Sequence, residues 1–511
     1  MIVKGNGEYN VKGQPGTNIP LNVTPAKIFK HGRVLLVYPT LISEAPITLA
    51  MLASVMQKEG FTVSALVNTF RRPLRIDDYV SAAKEFGADI VGIRMLTYNV
   101  LNTYKIIKAL KGEGLTVLVG GPHATDRPEE VISYGADIVI RNEGEDILRE
   151  LCQYWNGREG LSLETIGGIT YRDVSGKVIS TAIRPILRDL SQLPSPNLDV
   201  FDIDLFRQSD GLVKGFHRIY TSRGCPGRCT YCDLNVFGQK LRFWPVSAVI
   251  DEIKSRIEKY GITSFTITDD CFTISHKRVY QFCEQISKIS PKVVWRVSSR
   301  AKLINRQMLQ TMKEAGCHLI IFGLESGDPE TLRKVKKDVK LEDNINATII
   351  ADEAGMQVYA NLMTGFPWET VESVNNNLKL IREIWDAVYL FQVSGSLIPF
   401  PGAEIYNQFA GIHGFSDYWL DERYQEVGIQ TYQNNINPYR SSTFYQRYLF
   451  DDRFIQEETF FDYSREYKDK VWEMVYEIGR HNLETLYAES PFKQAMIVFL
   501  SKISKKIYNV S

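Results

Sequence analysis

Residues 221–232 read Thr-Ser-Arg-Gly-Cys-Pro-Gly-Arg-Cys-Thr-Tyr-Cys and bring three of the seven cysteines into eight positions. Cys225, Cys229 and Cys232 have the spacing C-x3-C-x2-C, with glycines at 224 and 227 that free the backbone. Thiolates this close in sequence can wrap one compact metal centre. Zinc usually takes four ligands as two separated pairs, and a [4Fe–4S] cluster also usually takes four cysteines. Three cysteines therefore predict an iron–sulfur cluster with one iron left open to a substrate.

The alternative use of this loop is structural zinc binding, with Cys271 or His217 completing the ligand shell. The pairwise spacing of zinc sites is missing, which favours the iron–sulfur interpretation. Cys152, Cys283 and Cys317 lie in helical or strand patterns. We expect these three to be packed as small apolar side chains.

Six candidate strands, separated by helical patterns, begin at this loop and predict a partial (β/α)6 barrel over residues 216–400. The strands are His217–Thr221, Ser264–Thr268, Val293–Val297, His318–Gly323, Gln357–Leu362 and Tyr389–Val393. The functional end of such a barrel lies at the carboxyl ends of its strands. The cysteine loop follows the first strand and is expected at that end.

An earlier series of five strand–helix repeats occupies residues 31–158. Its first strand, Arg33–Tyr38, is apolar without polar alternation, as expected of a strand covered on both faces. The series predicts a doubly wound, Rossmann-like parallel sheet that binds its ligand beyond the carboxyl ends of the strands. The Gly-x-Gly-x-x-Gly fingerprint of dinucleotide folds is absent after the first strand.

The remaining segments complete an α/β fold class. Residues 1–30 predict an irregular leader, residues 159–215 a linker with a small hairpin, and residues 401–511 an aromatic-rich, mainly helical region. The aromatic side chains of residues 400–465 could line an apolar site, but packing against the C-terminal helices is the favoured interpretation. Residues 492–508 predict a basic amphipathic helix, for which packing on its own domain is favoured over peripheral membrane contact.

The composition is that of a globular protein, with 511 residues, 44% of them hydrophobic, and 60 basic and 60 acidic side chains. A chain of this length forms about two to four domains. The balanced charge excludes a disordered polyelectrolyte and gives no overall attraction to nucleic acid or anionic membranes. The odd cysteine count, the absence of an apolar signal near Met1 and the lack of roughly 18–20 consecutive apolar residues predict a reducing, cytoplasmic location.

The cysteine loop and four later segments resemble a radical S-adenosylmethionine (SAM) enzyme. The segments are Thr266–Phe272, Trp295–Arg300, Phe322–Gly327 and Met363–Pro367, each at the end of a barrel strand. The resemblance implies a [4Fe–4S] cluster on the three cysteines, with SAM bound by Tyr231, Asp269, Asp270, Ser298, Arg300, Glu325, Ser326 and Gly365. A carboxylate such as Glu325 or Asp270 can accept both ribose hydroxyls, and an arginine such as Arg300 is the better carboxylate clamp.

The first sheet, placed before such a barrel, resembles the cobalamin-binding domain of the cobalamin-dependent subgroup. The resemblance implies that cobalamin is bound by Thr40, Leu41, Met95, Leu96, Thr97, Tyr98, Gly120, Gly121, Pro122, His123, Glu143, Gly144 and Glu145. The Asp-x-His-x-x-Gly motif of better known cobalamin domains is missing, so His123 is not expected to bind cobalt. The alternative is a flavodoxin-like sheet with another ligand or none.

The usual chemistry of this subgroup is methylation of an unactivated carbon. One SAM molecule methylates reduced cobalt, and another is cleaved at the cluster to a 5′-deoxyadenosyl radical that removes hydrogen from the substrate, which then takes the methyl group from methylcobalamin. A radical cyclase, oxidase or ring-rearranging enzyme is the first alternative. A methylthiotransferase acting on tRNA is disfavoured because Cys152 alone precedes Cys225. A non-catalytic zinc protein is the third alternative.

The resemblance also defines the expected partners. They are a small-molecule substrate, apolar if the aromatic region contributes to its site, and an external electron donor such as a flavodoxin or ferredoxin. Neutral charge predicts no nucleic-acid partner. The sequence assigns no catalytic side chain beyond the cofactor-binding residues.

Overall fold

The computed structural model describes residues 29–69, 71–206, 217–421 and 461–486. Within these residues the first sheet has seven strands in the order β2-β1-β3-β4-β5-β6-β7. Their bounds are β1 Arg33–Ile42, β2 Thr62–Thr69, β3 Ile90–Arg94, β4 Thr116–Gly120, β5 Ile138–Ile140, β6 Ile169–Arg172 and β7 Val178–Ser180. Strands β1 to β5 are parallel. The hairpin predicted within 159–215 is β6–β7, which pairs antiparallel with β5 and so extends this sheet.

Helices cover both faces of the first sheet. The helices of the first half are α1 Ile47–Lys58, α2 Ile76–Phe86, α3 Val100–Gly112, α4 Pro122–Asp126, α5 Pro128–Ser133 and α6 Glu145–Trp155. Along β1, Val34 and Leu36 pack in the core that contains α1 and α6. Leu35 and Val37, which point to the opposite face, pack in the core that contains α2 and α3. The apolar run of β1 therefore reflects burial on both faces.

The second sheet has six parallel strands among the described residues, in the order β15-β14-β13-β12-β11-β8. The bounds are β8 His217–Ile219, β11 Ser264–Ile267, β12 Val294–Ser299, β13 Cys317–Glu325, β14 Gln357–Thr364 and β15 Leu390–Ser396. The short strands β9 Ser222–Arg223 and β10 Arg242–Phe243 form a separate antiparallel pair. Trp295 anchors the core of the barrel with Phe272 and Phe282 edge to face at 5.8 and 5.4 Å.

The remaining helices complete the barrel and the C-terminal region. They are α7 Val246–Tyr260, α8 His276–Ile286, α9 Arg306–Glu314, α10 Pro329–Lys334, α11 Leu341–Glu353, α12 Val371–Glu383, α13 Glu404–His413 and α14 Arg465–Leu486. The side chain of Asn482 in α14 bonds both backbone groups of Phe391 in β15. Trp419 is buried and donates to Glu130 of α5 at 3.1 Å, so the C-terminal region contacts both domains.

The predicted α/β fold class is confirmed, with a doubly wound sheet followed by a six-stranded parallel barrel sheet and C-terminal helices. The predicted leader up to residue 28 and the predicted helix at 492–508 lie outside the described residues, as do residues 422–460 of the aromatic-rich region. No helix in the described ranges is long and apolar enough to cross a membrane.

Candidate functional site

A cavity of about 520 Å³ lies where the carboxyl ends of the two sheets face each other. On the barrel side it is lined by the predicted site residues Cys225, Cys229, Tyr231, Cys232, Asp270, Ser298 and Arg300. On the side of the first sheet it is lined by Gly120, Gly121, Pro122, Glu143, Gly144 and Glu145. The two sets of residues predicted for different cofactors therefore share one space.

The other predicted residues are all described and do not form part of this wall. They are Asp269, Glu325, Ser326 and Gly365 of the SAM set and Thr40, Leu41, Met95, Leu96, Thr97, Tyr98 and His123 of the cobalamin set. Asp269 and Glu325 hold lining segments in place through the contacts described below.

Asp269 anchors the start of the cysteine loop to the end of β11. Its buried carboxylate accepts hydrogen bonds from the backbone N–H groups of Thr221 and Ser222 at 2.6 and 3.0 Å. It also accepts from the hydroxyls of the same two residues at 2.5 and 2.7 Å. Burial raises the pKa of Asp269, against the effect of these donors. Asp269 thus holds the loop, whereas its neighbour Asp270 accepts from Gly224 N at 3.1 Å and faces the cavity.

The cysteine loop needs glycine at position 224. Gly224 has φ +86°, and an added Cβ would lie 2.5 Å from Lys240 O and 3.0 Å from Gly238 O. Both contacts are with backbone, which cannot move aside as a flexible side chain can. The same turn is closed by a hydrogen bond from Cys225 N to Gly238 O at 3.3 Å. The path of the backbone into the first cysteine therefore depends on the missing side chain.

We expect Gly224→Ala to destabilise the apoprotein by about 3 kcal/mol, from left-handed strain together with steric overlap. Gly238→Ala is the matched control, because its φ is also positive (+70°) but its added Cβ would lie 3.9 Å from the nearest atom, in Ile186. It should cost about 1 kcal/mol. Urea unfolding measures both losses, and iron and sulfide content after reconstitution should fall mainly in Gly224→Ala. Equal losses in the two variants would contradict this explanation.

The donor set of the loop fits an iron–sulfur cluster. The guanidinium Nη2 of Arg300 lies 3.3 Å from Cys229 Sγ and 3.9 Å from Cys225 Sγ. Burial raises the pKa of the Cys232 thiol to about 12, and the neighbouring sulfurs of Cys229 and Cys225 contribute to this rise. Bound iron would supply the positive charge that favours three thiolates here. In the described part of the chain, no three His, Cys, Asp or Glu side chains are grouped to hold a single metal ion.

Glu325 is engaged within the protein. Its Oε1 accepts from Tyr231 OH at 3.0 Å and from Lys337 Nζ, and all three side chains are largely enclosed. Burial and the charge of Glu325 raise the pKa of Tyr231. Glu325 also has φ +64°, a left-handed conformation that is uncommon for a residue with a side chain. Lys337, which lines the cavity, therefore holds the carboxylate that the sequence suggested for the ribose.

Ser326 and Gly365 bind neighbouring helices of the barrel and the C-terminal region. Ser326 Oγ donates to Asn377 Oδ1 at 2.8 Å. The N–H of Gly365 donates to Glu369 Oε2 at 2.7 Å and also approaches Tyr467 OH at 3.1 Å. Ser326 thus holds the segment after β13 against α12, and Gly365 holds the segment after β14 against α14.

Glu369 is a buried carboxyl with an uneven set of partners. Its Oε2 accepts from Gly365 N, Phe366 N and Tyr467 OH at 2.7, 3.2 and 2.7 Å. Its buried Oε1 has no hydrogen-bond partner among the described residues. Burial raises the pKa of Glu369 to about 7, although these donors act to lower it. The fold therefore favours the protonated carboxyl at pH values below about 7.

Glu369→Gln should remove a pH dependence of stability. A carboxyl whose pKa is raised on folding stabilises the fold fully below its unfolded pKa, and this contribution is lost as the pH rises through the folded pKa. Between about pH 4.5 and pH 7 the loss amounts to about 3 kcal/mol. Glutamine is neutral and keeps an acceptor oxygen. The free energy of unfolding of Glu369→Gln, relative to that of the native protein, should therefore rise by about 3 kcal/mol as the pH rises from about 4.5 to 7. Urea unfolding across this range measures the difference, and parallel stability curves would contradict the assignment.

The glycines after β4 bring two strand ends together. Gly121 has φ +108°, and an added Cβ would lie 2.7 Å from Met95 O. Behind this contact the loop after β3 is packed, with Asn99 Nδ2 donating to Thr40 Oγ1 at 2.5 Å. Met95, Thr97 and Thr40 are accordingly buried. Glycine at position 121 therefore allows the residues after β3 to lie close to the end of β4. It also leaves the cavity wall free of a side chain at this point.

His123 is packed away from the cavity. Its Nδ1 lies 3.3 Å from Thr97 Oγ1 and its Nε2 lies 3.4 Å from Glu130 Oε1. The ring also contacts Trp419 edge to face at 5.2 Å. Burial lowers the pKa of His123, which favours the neutral ring. The structure places this histidine at the contact between α4, α5 and the C-terminal region.

Several lining residues were not singled out from the sequence. Tyr220, Arg223, Lys337 and Asn361 are among them. Arg223 lies inside the cysteine stretch, and Tyr220 precedes it, so position relative to the cysteines could have indicated both. Lys337 follows a short helix and carries no local motif, so only the three-dimensional structure shows it.

Comparisons with known proteins agree with this arrangement. Residues 42–152 match the family model of the B12 binding domain, and residues 219–381 match that of the radical SAM superfamily. An uncharacterized methyltransferase of Pyrococcus horikoshii is 31% identical over 366 residues, which cover 71% of this chain and 77% of that protein. The anaerobic magnesium-protoporphyrin IX monomethyl ester cyclase of Rubrivivax gelatinosus is 26% identical over 371 residues, covering 69% and 66%.

The fold is also similar to that of a solved structure. The radical SAM methyltransferase TsrM of Kitasatospora setae, with cobalamin and a [4Fe–4S] cluster bound, superposes with a TM-score of 0.64 at 21% identity, covering 76% of this chain and 79% of that one. The two matched domain models, in this order and together with the Pyrococcus horikoshii relative, establish the family and its cofactors: a [4Fe–4S] cluster, SAM and cobalamin. The chain therefore belongs to the cobalamin-dependent subgroup of the radical SAM superfamily.

Proposed function

We propose that this enzyme transfers a methyl group by way of cobalamin to an unactivated carbon of a small substrate, after a 5′-deoxyadenosyl radical has removed a hydrogen from that carbon. The single observation that carries the proposal is the shared cavity. The cysteine loop and the glycine-rich edge of the first sheet line the same space of about 520 Å³. A radical formed beside the cysteine loop could then reach a substrate that also faces the glycine-rich edge of the first sheet.

The barrel residues have distinct tasks in this proposal. Cys225, Cys229 and Cys232 would hold the cluster, which would bind SAM and supply the electron that cleaves it. Arg300 lies against the sulfurs and offers a planar fork to that carboxylate. Asp270 faces the cavity with its carboxylate and suits the ribose hydroxyls. The cofactors supply the electron transfer and the methyl-carrying chemistry, and the protein orients the substrate between them.

The first sheet supplies a wall suited to a large, partly apolar cofactor. Apolar lining side chains come from β1, α1, β4 and α6, namely Leu36, Leu49, Leu52, Leu118 and Leu148. Gly120, Gly121 and Gly144 leave the backbone accessible at the strand ends. An apolar wall excludes water from the space in which radicals form, which limits side reactions.

The proposed partners follow from this chemistry. Each turnover takes two electrons from an external donor, one for SAM cleavage and one to return cobalt to the reduced state that accepts the next methyl group, and a flavodoxin or ferredoxin is suited to this task. A small-molecule substrate suits the space that the cofactors leave in this cavity. A cytoplasmic location and the absence of a nucleic-acid partner remain predictions.

The decisive experiment uses SAM with a trideuterated methyl group and the reduced, reconstituted enzyme. We expect a product heavier than the substrate by one trideuterated methyl group, together with both 5′-deoxyadenosine and S-adenosylhomocysteine. High-resolution mass spectrometry of cell extracts incubated with the enzyme detects this mass shift in any component that serves as the substrate. Products that carry no deuterium would overturn the proposal.

Radical cyclisation is the second candidate, favoured by the similarity to the magnesium-protoporphyrin ester cyclase. Such a reaction uses the same cofactor set without consuming a methyl group. It would produce 5′-deoxyadenosine without S-adenosylhomocysteine. The ratio of these two products therefore separates the candidates in a single assay.

A further inference from the structure

A buried network of four charged side chains joins the cysteine loop to the first sheet. Arg223 donates to Glu143 Oε1 at 2.8 Å and to Glu145 Oε1 at 2.5 Å. Arg242 donates to Glu143 Oε2 at 2.7 Å. All four residues are at most 9% exposed. Two guanidiniums and two carboxylates balance in charge, so the network, which we call the Arg–Glu lock, is neutral as a whole.

The residues of the Arg–Glu lock are close in sequence to lining residues on both sides of the cavity. Arg223 lies two residues before Cys225, and its backbone pairs with that of Arg242 in the β9–β10 ribbon. Glu143 and Glu145 flank Gly144, which follows β5 and lines the cavity. A shift of the cysteine loop relative to the first sheet would have to break these ion pairs.

Additional contacts restrain the guanidinium of Arg223. Its Cζ lies 4.8 Å from the ring centroid of Phe237 and 5.4 Å from that of Trp244. Its Nη2 lies 3.1 Å from the sulfur of Met51 in α1. Burial alone would raise the pKa of Glu145, but the charge and hydrogen bonds of Arg223 hold it below its usual value. Glu145 is therefore committed to Arg223 as an ionised partner.

Buried ion pairs of this kind contribute little net stability but favour one geometry. Resting on the proposed function, we propose that Arg223 acts through Glu143 and Glu145 as a positioning residue that sets the separation between the cluster and cobalamin. This separation sets the fraction of SAM cleavage events that lead to a methylated product. The remaining events form 5′-deoxyadenosine without methyl transfer. Glu143 and Glu145, which the sequence suggested as cobalamin ligands, then act mainly between the domains.

The test replaces two of the four residues of the Arg–Glu lock by apolar residues. In Arg223→Met/Glu145→Leu one charge of each sign is removed, and Glu143 keeps its partner Arg242. No buried charge is then left unpaired, so the variant avoids the large loss of stability that follows when only one partner of a buried ion pair is removed. The matched control is Arg256→Met/Glu252→Leu, a largely buried Arg–Glu pair within α7 that does not cross between the sheets. Glu145→Gln serves as the milder variant if the double variant does not fold.

Two readouts decide the outcome. Pulsed electron paramagnetic resonance of the reduced cluster and cob(II)alamin gives the distance between them, and product analysis gives the methylated product per 5′-deoxyadenosine. We expect the lock variants to shift or broaden the distance distribution and to lower the product ratio at least about fivefold, with deoxyadenosine formation falling less. The α7 control should change neither quantity.

The results separate this inference from the proposed function. An unchanged distance distribution and an unchanged product ratio in the lock variants would overturn the positioning role. A native enzyme that forms no methylated product would refute the proposed function, while the distance measurement would still decide the role of the lock. Equal changes in the α7 control would show a general loss of packing and would also overturn the inference.

Discussion

Replacing Cys225 with alanine should reduce 5′-deoxyadenosine formation to the level of an enzyme-free control. Cys225 is buried, its Sγ lies 3.9 Å from Arg300 Nη2, and its backbone N–H closes the turn to Gly238. The proposed cluster would take three protein ligands from this loop and its fourth from SAM. Loss of one thiolate leaves two, which cannot hold the cluster in one orientation. Reconstituted Cys225→Ala should therefore contain little iron and sulfide and cleave no SAM.

Cys283→Ala is the matched control for this prediction. Cys283 is buried in α8, and burial raises the pKa of its thiol to about 12, so it remains an unreactive apolar side chain. Its replacement should cost about 1 kcal/mol of stability and leave cluster content and SAM cleavage in place. Deoxyadenosine formation by Cys225→Ala, or cluster loss in Cys283→Ala, would contradict the ligand assignment. Iron, sulfide and product analysis on the same samples measures both.

Much of the fold could be predicted because its signals are local. The apolar run Arg33–Tyr38 and the repeated strand–helix pattern predict parallel sheets with buried strands, and the structure has them. The cysteine spacing lies within one loop, so it is visible in the local sequence alone. The hairpin β6–β7 was also visible, but its pairing with β5 was not, because strand pairing depends on contacts far apart in sequence.

The roles of several site residues could not be predicted because they depend on which partner lies opposite. Glu143 stands after β5 as a cobalamin ligand would, yet its carboxylate meets Arg223 and Arg242, 80 and 99 residues away. Glu325 matches a family motif, yet Lys337 binds it. A motif identifies a position at a strand end, whereas the partner of a buried charge is set by the packing of two domains.

The adjacent carboxylates Asp269 and Asp270 should respond very differently to alanine substitution. Asp269 accepts two backbone and two hydroxyl hydrogen bonds in a buried position. Its removal leaves two buried N–H groups without an acceptor, and each costs about 1–3 kcal/mol. Asp269→Ala should therefore lose about 3–5 kcal/mol of folding free energy and much of its cluster. Asp270 accepts one backbone bond at the cavity wall, so Asp270→Ala should lose about 1 kcal/mol or less.

The contrast tests whether two neighbouring acidic residues divide structure and binding between them. Urea unfolding of the apoproteins gives the stability loss without any cofactor, and the Michaelis constant for SAM gives the binding effect in samples of equal iron content. We expect the stability loss to follow Asp269 and a raised Michaelis constant to follow Asp270, whose carboxylate faces the cavity. A stable Asp269→Ala protein with weakened SAM binding would instead place Asp269 among the SAM ligands. The four hydrogen bonds to the loop argue against that outcome, because they already use both oxygens of its carboxylate.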